Sequence, residues 1–270
     1  MGVASLALVG CGHVRATGGT PTAVSPVAAA TSSADATTSS NPPDPGVAAA
    51  AAEADGQFSL LVFDRVAGQV VASHEPTIHY PAESVVKLFI AITALEAGGD
   101  EESVVDMLAH SDDEIANKLW TTYGETAIVT GIAAKAGMVN TTPPNDPGRW
   151  GDTQTTAEDL VALYRYILDT VPEHVRSVIL RALSGASQTA ADGLDQYFGI
   201  PDAATGWPWA VKQGWACCKP NRVLHTTGLL GKNYRYIVVA LSSHDDSTTW
   251  EQVIGELTEA VRSVVSTLRQ

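Results

Sequence analysis

Ser84-Val85-Val86-Lys87 places a hydroxyl and an amine three residues apart at the head of an apolar run. On a helix, residues at that spacing share a face, so the two groups can meet. A serine hydroxyl is a weak nucleophile until a neighbouring base takes its proton, and a lysine amine can do so. The apolar run supplies a reason to weigh Lys87. Val86, Leu88, Phe89, Ile92 and Leu95 occupy more than one helical face, which predicts a deeply buried helix over 84–97. A lysine buried there must find partners or lose its proton. Two later segments, Ser111-Asp112-Asp113 and Lys212-Gln213-Gly214, add a second hydroxyl and a second amine. Each motif alone has an ordinary structural use. Ser84 can cap a helix, as can Ser111 with Asp112; Lys87 can snorkel, and Lys212 can be a surface charge on a strand. Those uses do not explain why the three occur together in this order.

The elements that must position these residues are legible in outline. Segments 58–65 and 69–74 read as strands joined by the turn Val66-Ala67-Gly68, a hairpin. Helices are expected over 84–97, 101–110, 112–123 and 127–136, the first closed by Gly98-Gly99 and the last by Gly137. Segment 141–153, rich in Pro, Gly and Asn, is a loop. Thr155 with Glu158 reads as a capping box that starts a helix through Leu168, and another helix covers 173–183. Strands at 209–212, 222–230 and 235–242 precede a closing helix over 249–268. Strands at both ends sharing one antiparallel sheet, with helices on its faces, give an α/β (α+β) sandwich with five strands.

The chain has 270 residues and a net charge of −14. Such an acidic balance argues against nucleic acid, which needs clustered Lys and Arg, and against a basic membrane-binding patch. The longest uncharged apolar run is too short to span a bilayer. The N-terminus divides the chain further. Leu8-Val9-Gly10-Cys11 ends a short apolar stretch and resembles a bacterial lipobox, in which Cys11 would carry lipid. No Lys or Arg precedes that stretch, and an upstream start is one account of it. Residues 12–55 are Ala, Thr, Ser, Pro and Gly with almost no bulky apolar side chain, the composition of a disordered linker. A flexible coil of about 44 residues spans roughly 35–40 Å. The expected organisation is therefore a 1–11 signal remnant, a 12–55 linker and a folded domain over 56–270. Cys217-Cys218 are the other cysteines. They either close a vicinal disulfide in a tight turn or point to opposite faces of a strand. No ligand set for zinc or another metal accompanies them, and no cofactor motif is present.

Taken together, these motifs resemble the class A β-lactamase and penicillin-binding-protein superfamily, as a bacterial lipoprotein of actinobacterial type with divergent motifs. The likeness runs from about Phe58 to the C-terminus. Ser111-Asp112-Asp113-Glu114-Ile115-Ala116-Asn117 resembles the family's Ser-Asp-Asn segment and following helix. Gly151-Asp152-Thr153-Gln154-Thr155-Thr156 resembles the stretch after its Ω loop, and Lys212-Gln213-Gly214 its Lys-Thr-Gly strand. The resemblance implies Ser84 as nucleophile, Lys87 as its base, and Ser111 as the bridge for a proton to the leaving nitrogen. Lys212 would supply positive charge beside Ser111. The backbone N–H groups of Ser84 and Trp215 would form the oxyanion hole. Asp113, Gln213, Gly214 and Arg222 would face the substrate. It further implies an exported, monomeric protein anchored by lipid to the outer face of the membrane, acting on a cell-wall peptide or a β-lactam-like small molecule.

The departures from the pattern are specific. No Glu lies between Glu125 and Glu158, so the glutamate that activates the deacylating water is missing, with Asp146 and Asp152 the nearest carboxylates. Asp113 stands where an amide would donate to substrate; ionised, it cannot donate and would instead hold Lys87 protonated. Gln213 replaces a hydroxyl. Ser84 and Ser111 are closer in sequence than in the full-length enzymes, which implies a reduced helical subdomain and an open cleft. Two expectations follow: an acyl-enzyme former with weak or no β-lactamase activity, or a silent relative that binds peptidoglycan or a protein partner.

Overall fold

The computed structural model describes residues 56–218 and 220–269. Cys11, its lipobox and the 12–55 linker lie outside the described residues. The chain opens with β1 (Gly56–Asp64) and β2 (Gln69–His74), then the short β3 (Tyr80–Pro81). A helical block follows: α1 (Lys87–Glu96), α2 (Glu101–Ala109), α3 (Asp113–Tyr123) and α4 (Thr126–Ala136). After the 141–153 loop come β4 (Gln154–Thr155), α5 (Ala157–Asp169), α6 (Glu173–Ser184) and α7 (Ile200–Ala203). The chain then forms β5 (Trp209–Ala216), β6 (Arg222–Leu230), β7 (Tyr236–His244) and α8 (Trp250–Val265).

The main sheet has five strands in the order β2-β1-β7-β6-β5, and every pairing is antiparallel. The terminal strands thus share one sheet, as the α/β sandwich requires. Strand alternation divides the core. On β7, Ile237, Val239 and Leu241 join one apolar cluster with α1, while Tyr236, Val238 and Ala240 join another with α8. On β1, Leu61 faces the first cluster, and Phe58, Leu60 and Val62 face the second. A sheet buried on both faces explains why β7 reads as an almost unbroken apolar run. Helix α1 lies inside the first cluster, with Leu88, Phe89, Ile90, Ala91, Ile92 and Ala94 all fully buried. An α-helix apolar all round is a core helix, and it is the one that carries Lys87.

Local differences from the sequence reading have physical causes. The segment read as one helix over 84–97 is a 3₁₀ turn, Glu83–Val86, leading into α1. The cap of α5 is Thr156, whose side chain accepts from Asp159 N at 3.2 Å, and not Thr155 with Glu158. Thr155 is instead tied up in β4 against Tyr80. Helix α3 is capped by Asp112, which accepts from Ile115 N at 2.9 Å, and this leaves Ser111 free for other work. Strand β5 extends to Ala216 through Gly214, because pairing with β6 continues to Ala216↔Val223.

Gly228 marks the tightest approach in the sheet. A Cβ there would collide with Ala210 O and lie 2.9 Å from Val211 Cα. Gly228→Ala is therefore expected to destabilise the domain by about 1–3 kcal/mol through overpacking. For a domain of this size that lowers Tm by roughly 2–4 °C per kcal/mol. Thermal unfolding checks it, and an unchanged Tm would show that the β5–β6 pair is looser than described.

Candidate active site

Two amines and two hydroxyls converge at one end of α1. Lys87 opens α1 and is fully buried, with Ser84 and Ser111 nearly so. Its Nζ lies 2.8 Å from Ser84 Oγ, 2.9 Å from Ser111 O, 3.2 Å from Ser111 Oγ and 2.5 Å from Asp113 Oδ1. Lys212 Nζ donates to Ser111 Oγ at 2.8 Å and to Gln213 O at 3.0 Å. The structure thus gathers Ser84, Ser111 and Asp113 around Lys87 and joins Lys212 to them through Ser111 Oγ.

The count of donors and acceptors around Lys87 is informative. A neutral amine donates twice and accepts once. Nζ stands within donating distance of Ser84 Oγ, Ser111 O, Ser111 Oγ and Asp113 Oδ1; a neutral Lys87 that keeps its bonds to Ser111 O and Asp113 Oδ1 has its lone pair left for a hydroxyl proton. That is the arrangement a general base needs. Burial lowers the Lys87 pKa below the usual lysine range, and Asp113 opposes that shift. Asp113 therefore lies against Lys87, and the effect of burial on the Lys87 pKa outweighs its own. Burial also drives Lys212 well below the usual lysine range, with repulsion from Lys87 adding to the effect.

The frame around these groups is fixed by short contacts. Gly214 backs onto the 3₁₀ turn: a Cβ there would stand 3.1 Å from Ala82 O and from Val85 Cγ2. His225 Nε2 lies 2.8 Å from Pro81 O and so must donate to it, while Ser242 N donates to Nδ1 at 3.3 Å. Burial pushes the His225 pKa down to about 4, which keeps that neutral tautomer. Thr227 Oγ1 donates to Lys212 O at 2.7 Å, which leaves the Tyr164 hydroxyl, 2.8 Å away, to donate to Thr227. Glu83 (φ 48°) and Ser111 (φ 54°) both take left-handed backbone without being glycine. Such conformations cluster where surrounding structure holds a functional group in place.

Loop 141–153 covers the cleft from one side and is fastened to α3. Trp120 Nε1 donates to Pro147 O, and Trp150 Nε1 donates to Asn117 Oδ1, both at 2.8 Å. Of this loop only Trp150 lines the Ser84 cleft, a cavity of about 550 Å³. Its ring centroid stands 4.9 Å from Lys87 Nζ. The loop thus presents an indole to the amine, and no carboxylate. Asp146 caps Gly148 N at 2.9 Å, and Asp152 forms an ion pair with Arg149. Neither lines the Ser84 cleft.

Other expected substrate contacts are placed differently. Gln213 is buried; its Nε2 donates to Gln196 O at 3.0 Å and Phe198 O at 2.8 Å, and its Oε1 has no hydrogen-bond partner. Arg222 donates to Asp246 O at 3.2 Å and stacks over Trp250 at 4.7 Å, outside the Ser84 cleft. Trp215 lines the cleft, and its Nε1 donates to Asp192 Oδ2 at 2.8 Å. Its strand β5 is an edge strand, so one side of that strand carries backbone groups without a strand partner. Cys217 and Cys218 are joined as a disulfide, and Cys217 lines the cleft rim. Among the described residues no cluster of His, Cys, Asp and Glu could hold a metal ion.

Glu83, Trp150 and Asp192 are cleft residues that the sequence reading did not single out. Glu83 directly precedes the nucleophile candidate, and its carboxyl packs over Gly151, where a Cβ would come within 2.8 Å of Oε2. Burial first, and then the charge of Asp152, push its pKa up to about 8.

The chain can now be set beside known proteins. A family model described as the beta-lactamase enzyme family matches residues 100–265, a span that begins after Ser84 and Lys87. The protein named "Putative lipoprotein LppW" from Mycobacterium tuberculosis (strain ATCC 25618 / H37Rv) is 38% identical over 229 residues, covering 79% of this chain and 71% of that relative. Its namesake in Mycobacterium bovis gives the same figures. Among solved structures, an ancestral class A β-lactamase (GNCA) has a TM-score of 0.69 at 15% identity, covering 82% of this chain and 98% of that one. A class A β-lactamase from Mycobacterium abscessus has a TM-score of 0.69 at 18% identity, covering 82% and 96%. At such identities the solved structures establish the fold alone.

The raised Glu83 pKa has a sign that can be tested. Its folded value of about 8 lies above the ordinary 4.5, so the folded state holds this proton more tightly than the unfolded chain. The contribution to stability is full below pH 4.5 and is lost as pH rises toward 8. Glu83→Gln removes the titration. The stability of the variant relative to the native chain is therefore expected to increase between pH 5 and pH 8.5, measured by urea unfolding. A constant difference across that range would show that Glu83 titrates as an exposed carboxyl does.

Proposed function

The chain belongs to the beta-lactamase enzyme family, and on that premise we propose that it is an exported, lipid-anchored serine hydrolase or transpeptidase relative. It forms an acyl-enzyme at Ser84 and has little or no β-lactamase activity. The observation that carries this reading is the 2.8 Å contact between Ser84 Oγ and the buried Lys87 Nζ. Lys87 takes the Ser84 proton as Oγ bonds to the carbonyl carbon. The oxyanion that develops faces the backbone N–H groups of Ser84 and Trp215. As the carbonyl–nitrogen or carbonyl–oxygen bond breaks, the proton passes from Lys87 through Ser111 Oγ to the leaving atom. Lys212, 2.8 Å from that hydroxyl, orients it. The ester on Ser84 is then released to water or to an acceptor amine.

Deacylation by water is the weak step. Efficient β-lactam hydrolysis needs a carboxylate that activates water, and loop 141–153 offers Trp150 to the cleft. The acyl donor is a cell-wall peptide or another ester or amide, taken by a monomer at the outer face of the membrane. The lipid anchor rests on Leu8-Val9-Gly10-Cys11 and on the name of the mycobacterial relatives.

One observation favours a second reading. Asp113 Oδ1 stands 2.5 Å from Lys87 Nζ, within ion-pair distance. A proton retained there disables the base, and the cleft then binds peptidoglycan or a protein partner without attack.

Incubation with a fluorescent penicillin and a panel of activated esters, read by intact mass, decides between the two. The expected result is a single adduct that is lost in Ser84→Ala, with negligible turnover of a chromogenic cephalosporin. No adduct with any acyl donor would leave the silent reading standing. Rapid cephalosporin turnover would show that another group activates water.

A further inference from the structure

One carboxyl stands at the junction of two cavities. Glu83 lines the Ser84 cleft, and together with Ala216 and Cys217 it also lines an adjoining hollow of about 610 Å³. Loop 141–153 supplies Thr142, Asn145, Arg149 and Asp152 to that hollow. Glu83 and Ser84 are neighbours on one 3₁₀ turn, and both side chains border the same cleft. The turn holds Glu83 in left-handed backbone, φ 48°, and its half-buried side chain lies over Gly151. A Cβ on residue 151 would come within 2.8 Å of Oε2, so glycine there leaves the carboxyl its place.

The other carboxylates of the cleft are employed elsewhere. Asp112 caps α3, and Asp113 lies against Lys87. Asp192 accepts from Trp215 Nε1 at 2.8 Å and from Leu194 N at 3.0 Å. Glu114 is exposed on the first turn of α3. The Glu83 carboxyl, by contrast, accepts no hydrogen bond from the described residues. Charges reach it from three elements. Asp152 of the loop and Asp113 of α3 oppose its ionisation, while Arg149 of the loop and Lys87 of α1 favour it. Burial is the largest influence and brings the pKa up to about 8. Once ionised, such a carboxyl is a stronger base than an ordinary glutamate, which suits it to take a proton from water.

Resting on the acyl-enzyme reading of Ser84, we propose that the Glu83 carboxylate is the general base that activates the water releasing the Ser84 ester. It does so from the 3₁₀ turn, where loop 141–153 carries no glutamate. The ionised carboxyl takes a proton from a water as that oxygen bonds to the ester carbonyl carbon. The carbon–Oγ bond then breaks, and the proton held by Glu83 returns through solvent to Ser84 Oγ. One water is consumed and the acyl group leaves as an acid. Release is slow at neutral pH because most Glu83 side chains are then protonated.

The experiment uses the full chain, acylated with a fluorescent penicillin or with p-nitrophenyl acetate and then freed of excess reagent. Loss of the adduct is followed by intact mass between about pH 6 and pH 9.5. In the native chain the release rate is expected to rise about tenfold per pH unit and to level off above pH 8. In Glu83→Gln the adduct should persist, with release about 100-fold slower at the plateau and the step near pH 8 gone. Asp152→Asn removes a charge that opposes ionisation, so its step should move to lower pH. A native release profile in Glu83→Gln, or an unmoved step in Asp152→Asn, would overturn the role of Glu83 while leaving the acyl-enzyme standing. Absence of any adduct in the native chain would overturn the acyl-enzyme reading, and this proposal with it.

Discussion

The whole site hangs on one buried amine. Lys87 has no exposed surface, and removing an ammonium from water is costly unless every donor is matched. The surroundings answer that cost in two opposite ways. Burial in the α1 core lowers the Lys87 pKa, and the Asp113 carboxylate at 2.5 Å raises it. A lowered pKa leaves more of the amine neutral, the form that can take the Ser84 proton, than in an ordinary surface lysine.

That balance explains several features that would otherwise be unrelated. Helix α1 is apolar on all sides because its first residue must be sealed from water, and Trp150 closes the remaining side. Ser111 adopts a left-handed backbone and so offers Lys87 both its carbonyl and its hydroxyl, at 2.9 and 3.2 Å. Asp112 takes over the capping of α3, so Ser111 need not serve as the cap. The relay from Tyr164 through Thr227 to Lys212 O holds the second amine against the same hydroxyl. The price of this construction is a cleft committed to internal hydrogen bonds, with acidic side chains at its mouth.

Much of this was legible in the sequence because it depends on local pattern. The apolar circumference of α1 predicted burial of Lys87, and the order of hairpin, helical block, three strands and closing helix predicted a shared antiparallel sheet. Features set by tertiary contact were not legible. Thr155 and Thr156 are equally good caps by type, and only the pairing of Thr155 with Tyr80 assigns the role to Thr156. Gln213 sits in the expected place in the motif, yet the carbonyls of Gln196 and Phe198 consume its donors. Arg222 is engaged by a tryptophan far along the chain, which no spacing rule reveals. Glu83 and Asp192 become cleft residues only when the 3₁₀ turn, the 141–153 loop and the segment before α7 come together.

Lys87 acts as a base because burial loosens its proton more than Asp113 tightens it. The most direct test is the titration of its Nζ, followed by NMR in protein labelled with ¹⁵N at lysine and assigned by the signal missing in Lys87→Met. The expected pKa lies below the ordinary lysine value of 10.5. Titration at or above 10.5 would contradict it, and would mean that Asp113 holds an ammonium incapable of activating Ser84.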